Sequence, residues 1–447
     1  MIQPSQPEAT SIARDGLVFF GISDLAGHFR GKGFPLAELD ARLTRGVGMT
    51  GSNIMISAFG GIYGSPFGTE GDLAMIADPT TKVEVPFGQS ATEHFYICDL
   101  RTTEGEPWSC CPRNFLRRAV DTLRGELGLE LLASFEQEFV LATEGGYPGT
   151  AYGYDAFRRQ GIFGEAFMAA LRRAGTPPDS FLPEYAPRQF EVTVKPTLGL
   201  RAADEAVIVR EMARAVAARL GQRVILAPLV AVNGVGNGTH IHFSLRDEAG
   251  RPVMHDPARP HGLSAIGEHF VAGIQRHILA LAAVTAPSVA SYYRLRPNRW
   301  APTWNNVGYR DRGASLRICP IFAMAKEDAA QQFNVEYRVA DATASPHMAL
   351  GAILHAGLDG IRQKLSLAPP PQKGLWDMTD AAREAAGFRQ LPQRLDDALA
   401  QLEGTKAART WFGEELLGAY LQLKRDEIRA IASLAEDEII NRYAEVY

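Results

Sequence analysis

Two glutamates, Glu136 and Glu138, are separated by a single residue inside a run of alternating apolar residues, 131–141. Residues two apart on a β-strand point to the same face, so this spacing predicts two carboxylates side by side above a buried face. Like charges at that distance are unfavourable unless a cation lies between them. The run therefore predicts a strand that presents paired acids to a binding site.

Three further runs alternate polar and apolar residues in the same way. Their polar positions are Gln189, Glu191, Thr193 and Lys195 in the first, His240, His242 and Ser244 in the second, and Glu336 and Arg338 in the third. If the four strands line one antiparallel sheet, its polar face is costly when empty and favourable around divalent cations. Four strands with solvated polar faces are the alternative, which the repeated choice of Glu, His and Arg makes the weaker one.

Six arginines follow within one short segment of the chain: Arg294, Arg296, Arg299, Arg310, Arg312 and Arg317. Guanidinium groups bind carboxylates and phosphates with two hydrogen bonds, so arginines near a metal-binding face indicate an anionic substrate. The sequence has no P-loop motif. Surface or subunit contacts are the alternative for such a cluster. Metals and arginines together favour phosphoryl transfer, which depends on positioning and charge neutralisation.

Composition excludes some classes of partner. The chain has 447 residues, 46% of them hydrophobic and 22% charged, with a net charge of −5. This balance gives no reason to expect a nucleic-acid or membrane partner. Four cysteines without a C-x-x-C pair, and an N-terminus without an apolar signal region, predict a cytoplasmic protein with reduced thiols. The length predicts two domains.

Local patterns predict the elements that position these residues. Residues 16–22 read as a strand, 24–33 as a turn-rich segment and 46–71 as a long loop. Amphipathic periodicity and Pro or Gly boundaries predict helices over 112–128, 202–220, 264–283, 346–365 and 413–447. The predicted domains are 1–105 and 106–447.

In chain order, these motifs resemble the glutamine synthetase family over nearly the whole chain. The segments that carry the resemblance are Glu70-Gly71-Asp72-Leu73 with Asp78-Pro79-Thr80-Thr81, Phe135-Glu136-Gln137-Glu138-Phe139, Glu184-Tyr185-Ala186-Pro187-Arg188-Gln189-Phe190-Glu191, Gly236-Asn237-Gly238-Thr239-His240-Ile241-His242, Ser291-Tyr292-Tyr293-Arg294-Leu295, Arg310-Asp311-Arg312-Gly313-Ala314-Ser315-Leu316-Arg317 and Glu336-Tyr337-Arg338. The resemblance implies an α+β fold, with an N-terminal β-grasp domain and a catalytic domain built on a curved antiparallel sheet. It also implies homo-oligomeric rings, commonly dodecamers of two hexamers, whose sites are shared between neighbouring subunits.

The resemblance assigns roles residue by residue. Glu138, Glu184 and Glu191 would bind one Mg²⁺ or Mn²⁺, and Glu136, His240 and Glu336 a second. Arg294 and Gly236 would hold the amino-acid substrate, and Arg312 and Arg338 the transferring phosphoryl group and acyl phosphate. His242, Ser244 and Arg317 would lie on the nucleotide side. ATP would phosphorylate the γ-carboxylate of glutamate, and a nitrogen nucleophile would displace phosphate to leave an amide.

Two departures bear on that nucleophile. Glutamine synthetases use two acids to capture ammonium, and here Thr50 and Trp300 stand at those positions. Losing both charges disfavours a small cation, whereas a tryptophan offers an apolar wall or a cation–π face to an alkylammonium group. A plain packing role for Trp300 is the alternative.

These features predict an ATP-dependent ligase that joins the γ-carboxylate of glutamate to a primary amine, an alkylamine or a polyamine. It would be similar to the γ-glutamylpolyamine and γ-glutamylalkylamide synthetase branches of the family. The first alternative is a glutamine synthetase that uses ammonia. Two others come from different classes, a non-catalytic ring-forming relative and a metal-dependent hydrolase on the same sheet. The complete set of metal ligands argues against a non-catalytic relative, and the retained arginines argue against a hydrolase.

Overall fold

The computed structural model describes residues 14–68, 71–142, 151–297, 299–325, 328–367 and 375–447. Glu70, at the start of the first motif, lies outside these residues. The strands of the described residues are β1 Leu17–Ser23, β2 Phe29–Pro35, β3 Val47–Thr50, β4 Asp72–Ala77, β5 Val83–Val85, β6 Glu93–Thr102, β7 Leu129–Ala142, β8 Pro178–Pro183, β9 Gln189–Val194, β10 Thr197–Leu198, β11 Arg223–Ile225, β12 Thr239–Asp247, β13 Val307–Tyr309, β14 Leu316–Ile318 and β15 Val335–Tyr337.

The α-helices are α1 Leu39–Arg45, α2 Pro112–Leu127, α3 Tyr154–Arg159, α4 Gly161–Arg173, α5 Leu200–Arg219, α6 Ala265–Thr285, α7 Ser291–Arg294, α8 Ala329–Gln332, α9 Pro346–Gln363, α10 Asp380–Ala385, α11 Leu395–Gly404, α12 Lys406–Phe412, α13 Glu414–Ala430 and α14 Glu436–Val446. None of the helices formed by the described residues combines the length and apolar character needed to cross a bilayer.

The N-terminal sheet has six strands, in the order β2-β1-β6-β4-β3, with β5 paired to β6. Its pairs are antiparallel except for β1 with β6, which run parallel. Val18 and Phe20 on β1, Met75 on β4 and Leu100 on β6 are buried in the core that this sheet helps to form. This is the expected N-terminal β-grasp part of an α+β fold.

The turn-rich prediction for 24–33 is wrong in its second half, because β2 begins at Phe29 and pairs with β1. The glycine signal there has a different cause. Gly31 lies opposite Gly21, and a Cβ on Gly31 would lie 1.8 Å from the carbonyl oxygen of Phe20. Glycine at 31 therefore permits close approach of two strands. The long loop predicted over 46–71 is also interrupted, since it opens with β3 and a 3₁₀ turn.

The second sheet is curved and has nine strands, in the order β13-β14-β15-β12-β7-β9-β8, with β10 and β11 paired to β7. All its pairs are antiparallel except β13 with β14. Along β7, buried and half-buried residues alternate from Leu129 to Val140, as the sequence predicts for an amphipathic strand. The central strands β7, β9 and β12 confirm the predicted alternating runs, and the run predicted at 334–339 forms only the short β15.

Helices α2, α6 and α9 pack together against the apolar face of this sheet, where Phe243 of β12 lies 5.5 Å from Phe270 of α6. The predicted helix 112–128 is confirmed, with Pro112 in its first turn and Gly128 in a left-handed conformation after its last. A single helix over 413–447 is wrong. The chain leaves α13 at Ala430 and begins α14 at Glu436, where the Glu438 carboxylate accepts the backbone N–H of Ala435.

Candidate functional site

The polar face of the curved sheet collects acids and imidazoles from different strands. Strand register places them opposite one another, and opposed residues on one face of an antiparallel pair have neighbouring side chains. The opposed pairs are Glu136 with His240, Glu138 with Glu191, and His242 with Glu336. The predicted convergence of these residues is therefore a direct result of the pairing of β7, β9, β12 and β15.

One part of this face combines carboxylates with imidazoles. His240 Nδ1 lies 3.2 Å from Glu136 Oε2 and 3.4 Å from Glu336 Oε1, and His242 Nε2 lies 3.1 Å from Glu136 Oε1. Burial raises the pKa of Glu136, but His242 and His240 lower it to well below its usual range. Burial lowers the pKa of His242, but the Glu136 carboxylate opposes it and holds the pKa well above the usual value.

The other part is purely acidic. Burial, together with the charges of Glu136, Glu138, Glu184 and Glu336, raises the pKa of Glu191 to about 9. Burial and Glu138 also raise the pKa of Glu184. Glu138 accepts the backbone N–H of Gly238 at 2.7 Å. Neighbouring acids thus repel the charges of Glu184 and Glu191, which is the electrostatic condition for binding a metal ion.

Ligand atoms of two groups of three residues lie within 4.8 Å of one another, namely Glu136, Glu191 and His240 in one and Glu136, His242 and Glu336 in the other. Both groups include Glu136. They overlap with the two predicted ligand sets without matching either, because cross-strand neighbours decide which atoms meet. Carboxylate oxygen with imidazole nitrogen is a donor set that Mg²⁺, Mn²⁺ and related ions accept. The residues present therefore fit divalent cations.

Two arginines of this face lie beside the buried carboxylate of Glu336. Arg317 donates to Glu336 Oε2 at 2.8 Å, and Arg338 forms a second short ion pair with the same carboxylate. Burial raises the pKa of Glu336, but His240 and Arg338 lower it to about 2. Glu336 is therefore a carboxylate that stays charged.

Arg294 is also buried. One terminal nitrogen donates to the carbonyl oxygens of Val339 and Ala340, and the same nitrogen lies 4.0 Å from Asp341. Gly236 lies against this arginine so closely that a Cβ would fall 2.5 Å from its Cγ. A side chain at position 236 would therefore displace Arg294.

A cavity of about 550 Å³ opens above this face. Its lining includes these predicted site residues: Glu136, Glu138, Glu184, Glu191, Gly236, His240, Arg294, Trp300, Arg312, Arg317, Glu336 and Arg338. A second cavity, of about 410 Å³, is lined by His242 and Ser244, together with Lys195 and Asn334. Glu136 and Glu191 line both cavities. The two spaces therefore meet at the acids, and Arg317, predicted for the nucleotide side, lies on the larger cavity and against Glu336.

Three aromatic side chains line one side of the larger cavity. The rings of Trp300 and Tyr185 are stacked, 5.7 Å apart and 13° from parallel, and Tyr152 meets Tyr185 edge-on at 5.6 Å. All three are exposed, Trp300 by 73%. Trp300 and Tyr152 both have positive φ angles, 56° and 55°, a conformation that costs a non-glycine residue energy and is common at functional sites. We call these three residues the aromatic wall.

Sequence reasoning found Trp300 and missed Tyr152 and Tyr185. Tyr185 directly follows Glu184 in a motif, which is a usable signal, whereas nothing in the sequence marks Tyr152. The Tyr152 hydroxyl donates to Glu184 Oε1 at 3.0 Å. Thr50, the other predicted amine contact, lies on β3 opposite Asp72 and is absent from the lining of both cavities.

Family models cover both parts of the chain. The model described as the N-terminal domain of glutamine synthetase matches residues 7–108, and the model of its catalytic domain matches residues 109–443.

Individual relatives and solved structures agree with these models. A γ-glutamylpolyamine synthetase, GlnA3 of Streptomyces coelicolor, is 35% identical over 94% of this chain and 91% of its own. A glutamine synthetase of Pyrococcus furiosus is 31% identical over 88% and 85%. A crystal structure described as a novel glutamine synthase homolog superposes with a TM-score of 0.91 at 39% identity, covering 98% of this chain and all of the other. Paired acids on a curved sheet, arginines beside them and matches along the whole chain together place this protein in the glutamine synthetase family.

Proposed function

We propose that this ATP-dependent ligase joins the γ-carboxylate of glutamate to a primary amine, an alkylamine or a polyamine. The observation that carries the proposal is the meeting of two cavities at Glu136 and Glu191. A phosphoryl group that moves between two substrates must pass a point that both can reach, and catalysis there depends on positioning and charge neutralisation.

The smaller cavity is the proposed nucleotide side. His242 and Ser244 line it from β12. Arg317, which lines the larger cavity, would act on the nucleotide through its ion pair with Glu336. The larger cavity would take glutamate. Arg294 would bind its α-carboxylate, and Gly236 would leave space for the close approach of that arginine.

Chemistry would proceed in two balanced steps. A γ-carboxylate oxygen attacks the terminal phosphorus of ATP, the bond to ADP breaks, and an acyl phosphate forms. The amine nitrogen then attacks the acyl carbon, phosphate leaves, and the nitrogen loses a proton. Arg312 and Arg338 would steady the phosphoryl oxygens through both steps, since guanidinium groups match their geometry.

Two or more Mg²⁺ or Mn²⁺ ions would bind at Glu136, Glu138, Glu184, Glu191, His240 and Glu336. When bound, such ions neutralise the charge that develops on the transferring phosphoryl group. The raised pKa of Glu191 supports this assignment, because it follows from burial and from four neighbouring carboxylates that repel its charge.

The aromatic wall supports an amine larger than ammonia. Trp300 and Tyr185 present stacked faces to the cavity, and such faces attract alkylammonium groups and bury their carbon atoms. The relative from Streptomyces coelicolor bears the name of a γ-glutamylpolyamine synthetase, which supports the same class of substrate. Thr50 would act from a neighbouring subunit, since it does not line the cavities of its own chain.

The same proposal covers the organisation of the chain. Its domains would be 1–105 and 106–447, its assembly a dodecamer of two hexameric rings, and its location the cytoplasm. The four cysteines are free and buried, which suits a reducing compartment.

Phosphate release from ATP tests the activity, measured with glutamate, Mg²⁺ or Mn²⁺, and a panel of ammonia, methylamine, ethylamine and putrescine. Release with an alkylamine or diamine and little release with ammonia is the expected result. Release with ammonia alone would instead return the protein to the glutamine synthetases in the strict sense. If folded protein released no phosphate with any amine, it would not be a glutamate–amine ligase. Turnover of substrate without ATP would support a hydrolase.

Trp300→Glu tests the amine assignment within the active protein. Restoring an acid should raise the relative use of ammonia and weaken alkylamine use by about 2- to 30-fold, the range of a cation–π contact. Phe322→Ala is the matched control, since Phe322 is also exposed but is absent from the lining of the larger cavity. An unchanged amine preference in Trp300→Glu would remove the aromatic wall from the substrate site.

A further inference from the structure

His242 lines the smaller cavity beside Glu136, which lines both cavities, and its two ring nitrogens face different partners. Nε2 lies 3.1 Å from Glu136 Oε1, whereas Nδ1 lies 2.8 Å from the side-chain oxygen of Asn334. Cys319 Sγ is also near Nδ1, at the longer distance of 3.8 Å. The imidazole is thus held between an amide on one side and a carboxylate on the other.

The hydrogen bonds of Asn334 decide which nitrogen of His242 carries the hydrogen. The Asn334 amide nitrogen donates to the backbone carbonyl of Gln332 at 2.9 Å, so its oxygen is the atom that faces His242. Reversing the amide would set two oxygens against each other at that distance. An amide oxygen only accepts, and therefore Nδ1 of His242 must donate to it.

A neutral imidazole with hydrogen on Nδ1 has its lone pair on Nε2. Here Nε2 points to Glu136, and Glu136, His242 and Glu336 have ligand atoms within 4.8 Å of one another. A histidine that binds a metal through one nitrogen almost always donates from the other to a carbonyl or carboxylate oxygen, which fixes the ring. Asn334 supplies such a partner to His242.

We infer that His242 is itself a ligand, through Nε2, of the divalent ion bound by Glu136 and Glu336, and that Asn334 is the residue that positions it. The inference rests on the proposed function, because that function requires an ion on this face. It gives His242 a different role from nucleotide contact. An ion bound there takes the place of a proton between the imidazole and its carboxylates.

The consequence concerns which ion is bound. Mg²⁺ strongly prefers oxygen ligands, whereas first-row transition ions also accept imidazole nitrogen, and Mn²⁺ is the most weakly bound of these ions. His240 is a second imidazole beside the same carboxylates, 3.4 Å from Glu336 Oε1. The site therefore favours Mn²⁺ over Mg²⁺, and His242 should account for part of that preference.

Equilibrium binding measures the affinities for Mn²⁺ and Mg²⁺ directly, in the full-length protein without nucleotide, glutamate or amine. Free Mn²⁺ is followed by its electron paramagnetic resonance signal, and Mg²⁺ is measured by competition. His242→Asn should weaken Mn²⁺ binding at least 10-fold and lower the Mn²⁺/Mg²⁺ affinity ratio. Asn334→Ala should weaken Mn²⁺ binding by about 10- to 100-fold, the usual effect of removing the partner of a ligating histidine. Asn334→Asp retains an acceptor and should keep Mn²⁺ affinity close to wild type.

Ser134→Ala is the matched control, because Ser134 lies opposite His242 on β7 and lines the smaller cavity without belonging to either ligand group. It should leave Mn²⁺ affinity unchanged. Wild-type Mn²⁺ affinity in folded His242→Asn would overturn the inference, and so would equal losses for Mn²⁺ and Mg²⁺. If the wild-type protein ligated an amine but His242→Asn bound Mn²⁺ as tightly as wild type, this inference would fail and the proposed function would stand. If Mn²⁺ binding depended on His242 but the wild-type protein ligated no amine, the proposed function would fail and this inference would stand.

Discussion

Two groups of buried acids in this protein are built in opposite ways. The Arg113 cluster consists of Arg113, Asp78, Asp99 and Asp204, and joins the N-terminal sheet to α5. Its guanidinium contacts Asp78 at 2.7 Å, Asp99 at 2.9 Å, and Asp204 through two nitrogens at 2.9 and 2.8 Å. Every acid of this cluster thus has a cation supplied by the chain itself.

The sheet cluster consists of Glu136, Glu138, Glu184, Glu191 and Glu336. Among the described residues, Glu336 is the member of this cluster that forms ion pairs with arginine, and neighbouring acids raise the pKa values of Glu184 and Glu191. The contrast appears in the pKa values. Burial raises the pKa of Asp204, but Arg113 reverses this and lowers it to about 2, whereas Glu191 rises to about 9.

This difference in pKa distinguishes a cluster that stabilises the fold from a cluster that can bind a ligand. Buried carboxylates that have a partner in the chain are satisfied without a ligand, and removing that partner destabilises the fold. Buried carboxylates left without one gain most from an external cation. Acidic residues alone therefore do not identify a metal site, but acidic residues without an internal cation do.

Removing the internal cation should have the largest effect on stability. Arg113→Ala removes the guanidinium that Asp78, Asp99 and Asp204 share, so we expect it to lower the free energy of unfolding by about 3–5 kcal/mol. Arg117→Ala is the control, because Arg117 is 38% exposed and its ion pair among the described residues is with Asp99; it should cost about 0–1 kcal/mol. Urea unfolding at fixed protein concentration compares the two. Equal losses of unfolding free energy in the two variants would mean that Arg113 does not hold the N-terminal sheet and α5 together.

Removing a charged acid of the sheet cluster should act on turnover. Glu336→Ala deletes a proposed metal ligand, and we expect phosphate release to fall by about 10²–10³-fold, the usual effect of losing one electrostatic contact in an active site. Assembly should persist in gel filtration. Glu130→Ala is the control, because Glu130 is an acid at the start of β7 in the same sheet and is paired with Arg124 and Arg246. Near-normal turnover in Glu336→Ala would contradict the metal assignment.

The sequence predicted the strands of the sheet cluster well because alternation with a period of two is a local property. It also predicted that these acids converge. It could not give their partners, since His240 and Glu136 are 104 residues apart in the chain and only register makes them neighbours. The two ligand groups follow from that register, which explains why they differ from the predicted sets.

Two other features lay beyond the sequence. Tyr185 and Trp300 stack because a loop residue takes a φ of 56°, a conformation that no propensity predicts for tryptophan. The Arg113 cluster was missed because its members fall in motifs that looked like a turn and a helix start. Gly31 looked like part of a turn for a similar reason, because composition does not distinguish flexibility from close packing.

Divalent ions should stabilise one cluster and not the other. At a concentration of 100 times the dissociation constant, Mg²⁺ should raise the free energy of unfolding of wild type by about 2.7 kcal/mol. Glu191→Gln should reduce that gain, because a ligand is lost. Asp204→Asn should retain it, since the Arg113 cluster binds no ion. Urea unfolding with Mg²⁺ and with chelator measures each gain, and a reduced gain in Asp204→Asn would erase the distinction between the clusters.

The smallest expected effect is a pH dependence of the metal-free protein. Glu191 has its pKa raised from 4.5 to about 9, so between pH 7 and 8.5 the folded protein holds a proton that the unfolded chain has released. Stability should therefore fall as pH rises, by up to about 1.4 kcal/mol per pH unit for one proton. Asp204 makes no contribution in this range, because with a pKa of about 2 it is charged in both states.

Glu191→Gln tests this pH dependence because glutamine resembles the protonated acid. In chelator, the variant should be about as stable as wild type at pH 7 and should lose less stability up to pH 8.5. Saturating Mg²⁺ should remove the slope from wild type, since the ion replaces the proton. If the slope were the same in wild type and Glu191→Gln, the crowded acids would have another source of charge neutralisation, and the sheet cluster would be satisfied internally like the Arg113 cluster.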